Sequence, residues 1–437
     1  MEREKFHAST KDRDTLVPNE GIPSPFEHFY YIRGELHCDG VSLREIAKEI
    51  GTPYYVYSKA AMLEKFREFS NAFSEFDHLL CYSVKANSNV NVIRLFVQAG
   101  SGVDVNSGGE LYRALLAGAH PQRIVFTGVG KTDEEIQYAL RQRVLFLKAE
   151  SIEELDVINE IARSLGVNAP VALRVNPDVD AETHPYISTG LAENKFGIPW
   201  EQVEAAYEHA ISLPHLRVTG VDMHIGSQIT SVDPFVDAVS KLVELVGKLR
   251  AKGISLSHLD IGGGLGIHYA ETPTPCAADL AKALRPLLQS VNLTIVLEPG
   301  RYLTGNAGAL VTRILYRKHT SLKQFLIVDA GMNDLLRPTL YQAYHHIMPV
   351  SLHERETETV DVVGPVCESA DYFAKARQLP RCERGELLAI MSAGAYGFVM
   401  SSNYNSRLRL PELLVDRDRY TVIRKRETYE DIVRQER

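Results

Sequence analysis

Six stretches of this 437-residue chain carry side chains that could share one reaction. The first is Cys81-Tyr82-Ser83-Val84-Lys85-Ala86-Asn87, where an apolar run from Leu79 ends in a lysine. A lysine at a strand tip can simply snorkel or pair with an acid. It can also serve as a nucleophilic amine, because burial and nearby cations lower an amine's pKa. The second stretch, 102–110, holds Asp104, and the third closes on Arg174 and Asn176. The fourth is His224-Ile225-Gly226-Ser227-Gln228, the fifth Asp260-Ile261-Gly262-Gly263-Gly264-Leu265-Gly266, and the sixth Glu298-Pro299-Gly300-Arg301.

Each residue type suits one part of a single ligand. Glycines 262–264 lack side chains, so their backbone N–H groups can converge on an anion, although a tight turn has the same composition. Gly300-Arg301 adds a guanidinium suited to phosphate. Glu298 can keep a pyridine nitrogen protonated, which makes the ring an electron sink. His224 can stack on that ring, unless it is an ordinary core histidine. Lysine for an aldehyde, glycines and arginine for a phosphate, and glutamate for a ring nitrogen together describe a pyridoxal-phosphate site.

Something must bring six distant segments together. Short apolar runs recur at 79–86, 102–105, 123–127, 144–149, 170–175, 218–225, 256–261 and 293–298, mostly with helical patterns between them. One helical pattern covers 152–165, with Leu155, Ile158, Ile161 and Ala162 on one stripe, and another covers 235–249. Strand–helix alternation implies parallel βαβ units, and eight strands in this length match a (β/α)8 TIM barrel. A doubly wound sheet is the alternative, but no GxGxxG follows the first strand. Barrel sites form at the carboxyl ends of the strands, where all six stretches lie. Residues 1–27 read as an arm, 28–53 as a segment joining a β domain, 54–304 as the barrel, and 305–437 as that second, mostly β domain. In the last, strands are expected at 309–316, 324–328, 359–363, 387–393 and 420–424, and a helix over 339–347.

The bulk properties exclude other classes. A net charge of −8 opposes nucleic-acid binding, which needs a basic face. No apolar run of 18 residues offers a membrane span, and residues 1–5 lack the apolar core of a signal peptide. Five scattered cysteines, with no C-x-x-C pair, fit neither a disulfide framework nor a zinc site, so no metal is expected. A reducing, cytoplasmic location follows as an expectation.

The chain also resembles the diaminopimelate decarboxylase family over about residues 28–430. The resemblance rests on Tyr82-Ser83-Val84-Lys85-Ala86-Asn87, His184-Pro185-Tyr186-Ile187-Ser188-Thr189-Gly190, Asn194-Lys195-Phe196-Gly197, His224-Ile225-Gly226-Ser227-Gln228 and Glu298-Pro299-Gly300-Arg301. It extends to Asp329-Ala330-Gly331-Met332-Asn333-Asp334, Gly364-Pro365-Val366-Cys367-Glu368-Ser369 and Ala393-Gly394-Ala395-Tyr396-Gly397. It implies an alanine-racemase-type barrel and a cofactor carried by Lys85. Asp104, His224, Ser227, Gly262, Gly263, Gly264, Glu298, Pro299, Gly300, Arg301 and Tyr396 would surround that cofactor. Arg301, Arg337, Tyr341, Glu368 and Tyr396 would bind substrate. Cys367 would be the general acid, reaching with Glu368 into the partner's site of a homodimer. Two departures stand out. Lys148 replaces a smaller polar residue frequent in relatives, and Leu408 stands where a proline is usual; neither is expected to touch cofactor or substrate.

The implied substrate, meso-2,6-diaminopimelate, has an amino-acid group at each end. The far end needs an arginine for its carboxylate and an acid for its ammonium, which Arg337 with Arg301, and Glu368, supply. A decarboxylase of the same fold acting on ornithine, arginine or a carboxylated polyamine would gain nothing from Arg337. A cofactor carrier would resemble the barrel alone, and a racemase would need a second base opposite Lys85.

Overall fold

The computed structural model describes residues 26–181, 189–190, 194–269 and 274–437. The arm through residue 25 and most of the His184 segment lie outside them. Eight parallel strands close a barrel: His78–Ser83, Gly102–Val105, Ile124–Phe126, Phe146–Ala149, Ala169–Asn176, Leu216–Asp222, His258–Asp260 and Thr294–Leu297. Each pairs with the next in chain order, and the last returns to the first through Ile295 against His78. All eight overlap the apolar runs of the sequence.

The helices form the outer ring because each carries one apolar stripe. Ile152–Leu165 starts where Ser151 Oγ accepts the Glu154 N–H, ends at left-handed Gly166, and buries Leu155, Ile158, Ile161 and Ala162. Among the described residues no helix is long and apolar enough to cross a membrane.

The barrel interior is layered. Leu79, Cys81, Val125, Phe146, Ala172 and Val296 form an apolar cluster. Side chains on a strand alternate, so the residue two positions on shares the same face. Two positions beyond Cys81, Phe146, Ala172 and Val296 stand Ser83, Lys148, Arg174 and Glu298, all buried. The apolar plug thus gives way to a polar layer towards the carboxyl ends.

The second domain's main sheet runs in the order Tyr372–Pro380, Thr357–Val363, Gln324–Val328, Gly308–His319, Tyr54–Ser58, Glu412–Asp416, Arg419–Arg424, with Leu387–Ile390 joining Gly308–His319 to Ile347–Pro349. This corrects the expected boundary at 54. Tyr54–Ser58 pairs antiparallel with Gly308–His319 and parallel with Glu412–Asp416, so it belongs to the β domain. The expected helix over 339–347 is also corrected. It spans only Arg337–Tyr341, because Gln342 turns left-handed at φ 51° and Ile347–Pro349 is a strand. The segment expected to join the β domain opens with a hairpin, Phe29–Ile32 with Glu35–Cys38, turned at Arg33 and Gly34, both with positive φ. Its three-stranded sheet meets the β domain where the Leu36 N–H donates to Val350 and the Leu352 N–H to Gly34.

Candidate active site

Lys85 lies in the 3-10 turn Val84–Ala86, directly after the first barrel strand. Its Nζ is 3.6 Å from Asp104 Oδ2. Asp104, fully buried on the second strand, accepts Ser83 Oγ at 2.6 Å and Thr127 Oγ1 at 2.7 Å. Burial alone would raise the Asp104 pKa, but the Lys85 and Lys148 ammonium groups and the two hydroxyls hold it below the ordinary value. The same pairing governs Lys85. Burial does disfavour its charge, yet Asp104, Tyr396 and Glu298 outweigh burial and raise its pKa.

Lys85 opens into a cavity of about 530 Å3. Ser83, Arg174, His224, Ser227, Gly264, Glu298, Pro299, Gly300, Arg301, Tyr341 and Tyr396 are among its lining. His224 follows the sixth strand, and burial first, then Lys85 and Arg174, push its pKa well below the ordinary value. The imidazole is therefore neutral, and its Nδ1 accepts the Gly263 N–H at 3.3 Å.

The glycine run works differently from the expectation of three converging amides. The Gly262 N–H is spent on Asp260 Oδ1 at 2.9 Å, and that of Gly263 on His224. Gly264 alone of the three lines the cavity. The glycines are needed for close packing: a Cβ on Gly263 would sit 2.2 Å from Glu298 O, and one on Gly264, at φ +111°, 2.4 Å from Gly226 O.

Beyond the glycines lies an arginine–tyrosine stack. Arg301 donates from Nη1 to Tyr269 Oη at 2.6 Å and from Nη2 to Ser227 Oγ at 2.9 Å. Its guanidinium also stands 4.7 Å above the Tyr396 ring. Tyr396 is held at φ 53° with its N–H on Ala86 O, which ties this ring to the Lys85 turn. Arg337 lies 4.6 Å from the Tyr269 ring centre, so Tyr269 sits between two cations.

The sequence comparisons settle the family. Residues 59–305 match the pyridoxal binding domain of pyridoxal-dependent decarboxylases. Over 404 residues the chain is 50% identical to a diaminopimelate decarboxylase of Pseudomonas aeruginosa, covering 92% of this chain and 97% of that one. The chain belongs to the diaminopimelate decarboxylase family. Its fold matches the diaminopimelate decarboxylase of Helicobacter pylori solved with L-lysine, with a TM-score of 0.87, 44% identity and coverage of 90% and 98% of the two chains. The M. jannaschii enzyme, also solved with L-lysine, gives a TM-score of 0.91 at 37% identity, covering 94% of this chain and 98% of that chain.

The cofactor of this decarboxylase family is pyridoxal phosphate, and the residues present fit it. Among the described residues Arg301 Nε is buried without a partner, beside the Ser227 hydroxyl and the Gly264 backbone, a donor set suited to a phosphate. Lys85, His224 and Glu298 border the same cavity.

One feature of the decarboxylase escaped the sequence. Lys148 was expected to touch no cofactor position, yet its ammonium pairs with Glu298 Oε1. It also lies 2.8 Å from Asp222 Oδ1 and 2.7 Å from Asp260 Oδ2. These three acids have oxygens within 4.8 Å of one another, close enough for a metal, but the ammonium stands among them. Burial, then Asp104 and Asp260, raise the Glu298 pKa well above the ordinary value, and Lys148 opposes them. Burial also pushes Asp222 up to about 7. An inward charge two positions beyond Phe146 was the available signal.

The remaining candidates divide. Arg337 is 5% exposed, does not border the cavity, and donates from Nη1 to His345 Nε2 at 3.0 Å. The His345 Nδ1 lies 2.8 Å from Met391 O. A guanidinium can only donate, so Nε2 is the acceptor and Nδ1 carries the proton. Tyr269 and His345 had no sequence signal. Cys367 and Glu368 are exposed and do not border the cavity; Glu368 Oε2 accepts Tyr404 Oη at 3.0 Å.

Proposed function

We propose that this protein decarboxylates meso-2,6-diaminopimelate to L-lysine and carbon dioxide. The likeness to decarboxylases of that name, at 50% identity over 92% of the chain, carries the reading. When bound, pyridoxal phosphate supplies an electron sink at the carbon that loses carboxylate. Lys85 would carry it covalently and give way to the substrate amine, and Asp104 would keep Lys85 oriented. Ser227, Gly262, Gly263, Gly264, Gly300, Arg301 and Tyr396 would form its phosphate cradle, with Gly262 and Gly263 acting through the turn they allow. Glu298, placed by Pro299, would face the ring nitrogen, and neutral His224 the ring face.

The far end of the substrate is a zwitterion. Arg301 and Arg337 would take its carboxylate beside Tyr341 and Tyr396, and Glu368 its ammonium. Cys367 would deliver a proton to the α-carbon, with Lys85 Nζ as the other donor. Cys367 and Glu368 sit on an exposed loop, which fits a homodimer in which each subunit completes its partner's site. The free cysteines fit a reducing cytoplasm. The test is purified protein with pyridoxal phosphate and meso-diaminopimelate, with ornithine and arginine alongside. Carbon dioxide and lysine are expected from diaminopimelate alone. Faster turnover of ornithine or arginine refutes the assignment.

A further inference from the structure

Lys148 is fully buried, yet it carries a charge into the barrel. Such a group survives only if its desolvation is offset by close partners. Its partners come from three other strands or strand ends: Asp222 closes Leu216–Asp222, Asp260 closes His258–Asp260, and Glu298 follows Thr294–Leu297. The ammonium therefore ties the fourth, sixth, seventh and eighth strands of the barrel into one polar layer. Two of its partners are themselves fully buried and do not border the cavity. Glu298 is the exception, because it borders the cavity as well. Asp260 also accepts the Gly262 N–H, so the same cluster anchors the start of the glycine run.

We propose that Lys148 is a positioning residue for the decarboxylation: by committing Oε1 of Glu298 to the barrel floor, it leaves Oε2 for the cofactor's ring nitrogen. This rests on the reading of Glu298 as the ring-nitrogen partner. A glutamate has three rotatable side-chain bonds, and freezing them beforehand removes an ordering cost from each turnover. Asp222 and Asp260, which do not border the cavity, also pair with the ammonium at 2.8 and 2.7 Å and anchor it within the barrel. On this proposal Lys148 reaches the cofactor's ring through Glu298, and that gives it a signature different from a general structural role.

The signature is a double-mutant cycle between Lys148→Met and Glu298→Gln in the holoenzyme. Methionine keeps an unbranched stem, one atom shorter, and loses the charge. Two quantities are read: kcat with diaminopimelate, and the dissociation constant of pyridoxal phosphate from its absorbance during dialysis. In the wild-type background Lys148→Met is expected to lower kcat at least about tenfold and to weaken cofactor retention. In the Glu298→Gln background it is expected to change each by less than about twofold, since coupled residues are non-additive. Equal losses in both backgrounds, or no loss in either, overturn the proposal. Wild-type turnover in Glu298→Gln refutes the reading of Glu298 itself, and the proposal falls with it. A reduced Glu298→Gln with additive Lys148→Met refutes the proposal alone.

Removing the ammonium leaves three close carboxylates, so Lys148→Met/Asp260→Asn repeats the cycle with less repulsion. If neither variant unfolds cooperatively near the wild-type Tm, Lys148 is a folding residue and the positioning role is wrong.

Discussion

Replacing Arg337 by methionine keeps a long side chain against the Tyr269 ring and removes the guanidinium. In the folded chain Arg337 is 5% exposed, stacks at 4.6 Å on Tyr269, and donates one bond to His345 at 3.0 Å. Its Nε is buried with no partner among the described residues, so a donor remains for a carboxylate. A hydrogen bond to a charged group contributes about 1.5–3 kcal/mol, and a dry setting favours the upper part of that range. The expected loss in kcat/KM for diaminopimelate is therefore at least ~100-fold, or about 2.7 kcal/mol. The assay is steady-state carbon dioxide release. Cofactor absorbance is expected to persist, because Arg337 is assigned to the far end of the substrate and to no contact with the cofactor. Lysine supplies a second readout. As product it keeps the far carboxylate and ammonium, so its inhibition of the enzyme should weaken in parallel. Efficiency within about threefold of wild type, with unchanged lysine inhibition, would show that Arg337 only buttresses Tyr269, and the substrate reading would lose its main chemical support.

Three further outcomes are expected. Lys85→Ala should lose the borohydride-sensitive absorbance of the bound cofactor; a variant that keeps it places the attachment elsewhere. Mixing Lys85→Ala with Cys367→Ala, each inactive, should restore up to about a quarter of wild-type activity if subunits exchange randomly in an isologous dimer, and verified exchange without recovery would put Cys367 outside the partner's site. Acid stability should track His345. Burial, then Arg337, lower its pKa from 6.5 to about 3. The unfolded chain takes a proton below about 6.5 that the folded chain refuses, so stability is lost as pH falls from there towards 3. The urea midpoint should therefore drop less between pH 7.5 and 5 in His345→Gln than in wild type, and an equal drop refutes the assignment.

The barrel was legible because its signal is repetitive. Eight apolar runs, six of them with reactive side chains at or just past their ends, state both the strands and the face on which chemistry collects. The β domain was harder to read for a physical reason. Tyr372–Pro380 carries Lys375 and Arg377 and bends at Ala376, φ 48°, as an edge strand does, so its pattern is not apolar. Tyr54–Ser58 is buried throughout and reads like a barrel strand; only its pairing partners, some 250 and 360 residues onward, assign it to the other sheet. The site shows the same limit. Lys85, Glu298 and Arg301 announce themselves at strand ends, but Tyr269, His345 and Asp222 matter through what they touch. Lys148 falls between these cases. Its spacing from Phe146 places it inside the barrel, and an ammonium there demands acids within reach. The strand ends already named two of them, Asp260 and Glu298. Carried through, that requirement predicts contact between Lys148 and Glu298 without any structure. A substitution at a departure from the family pattern is therefore best judged by the burial its strand register imposes, and only afterwards by its distance from the known motifs.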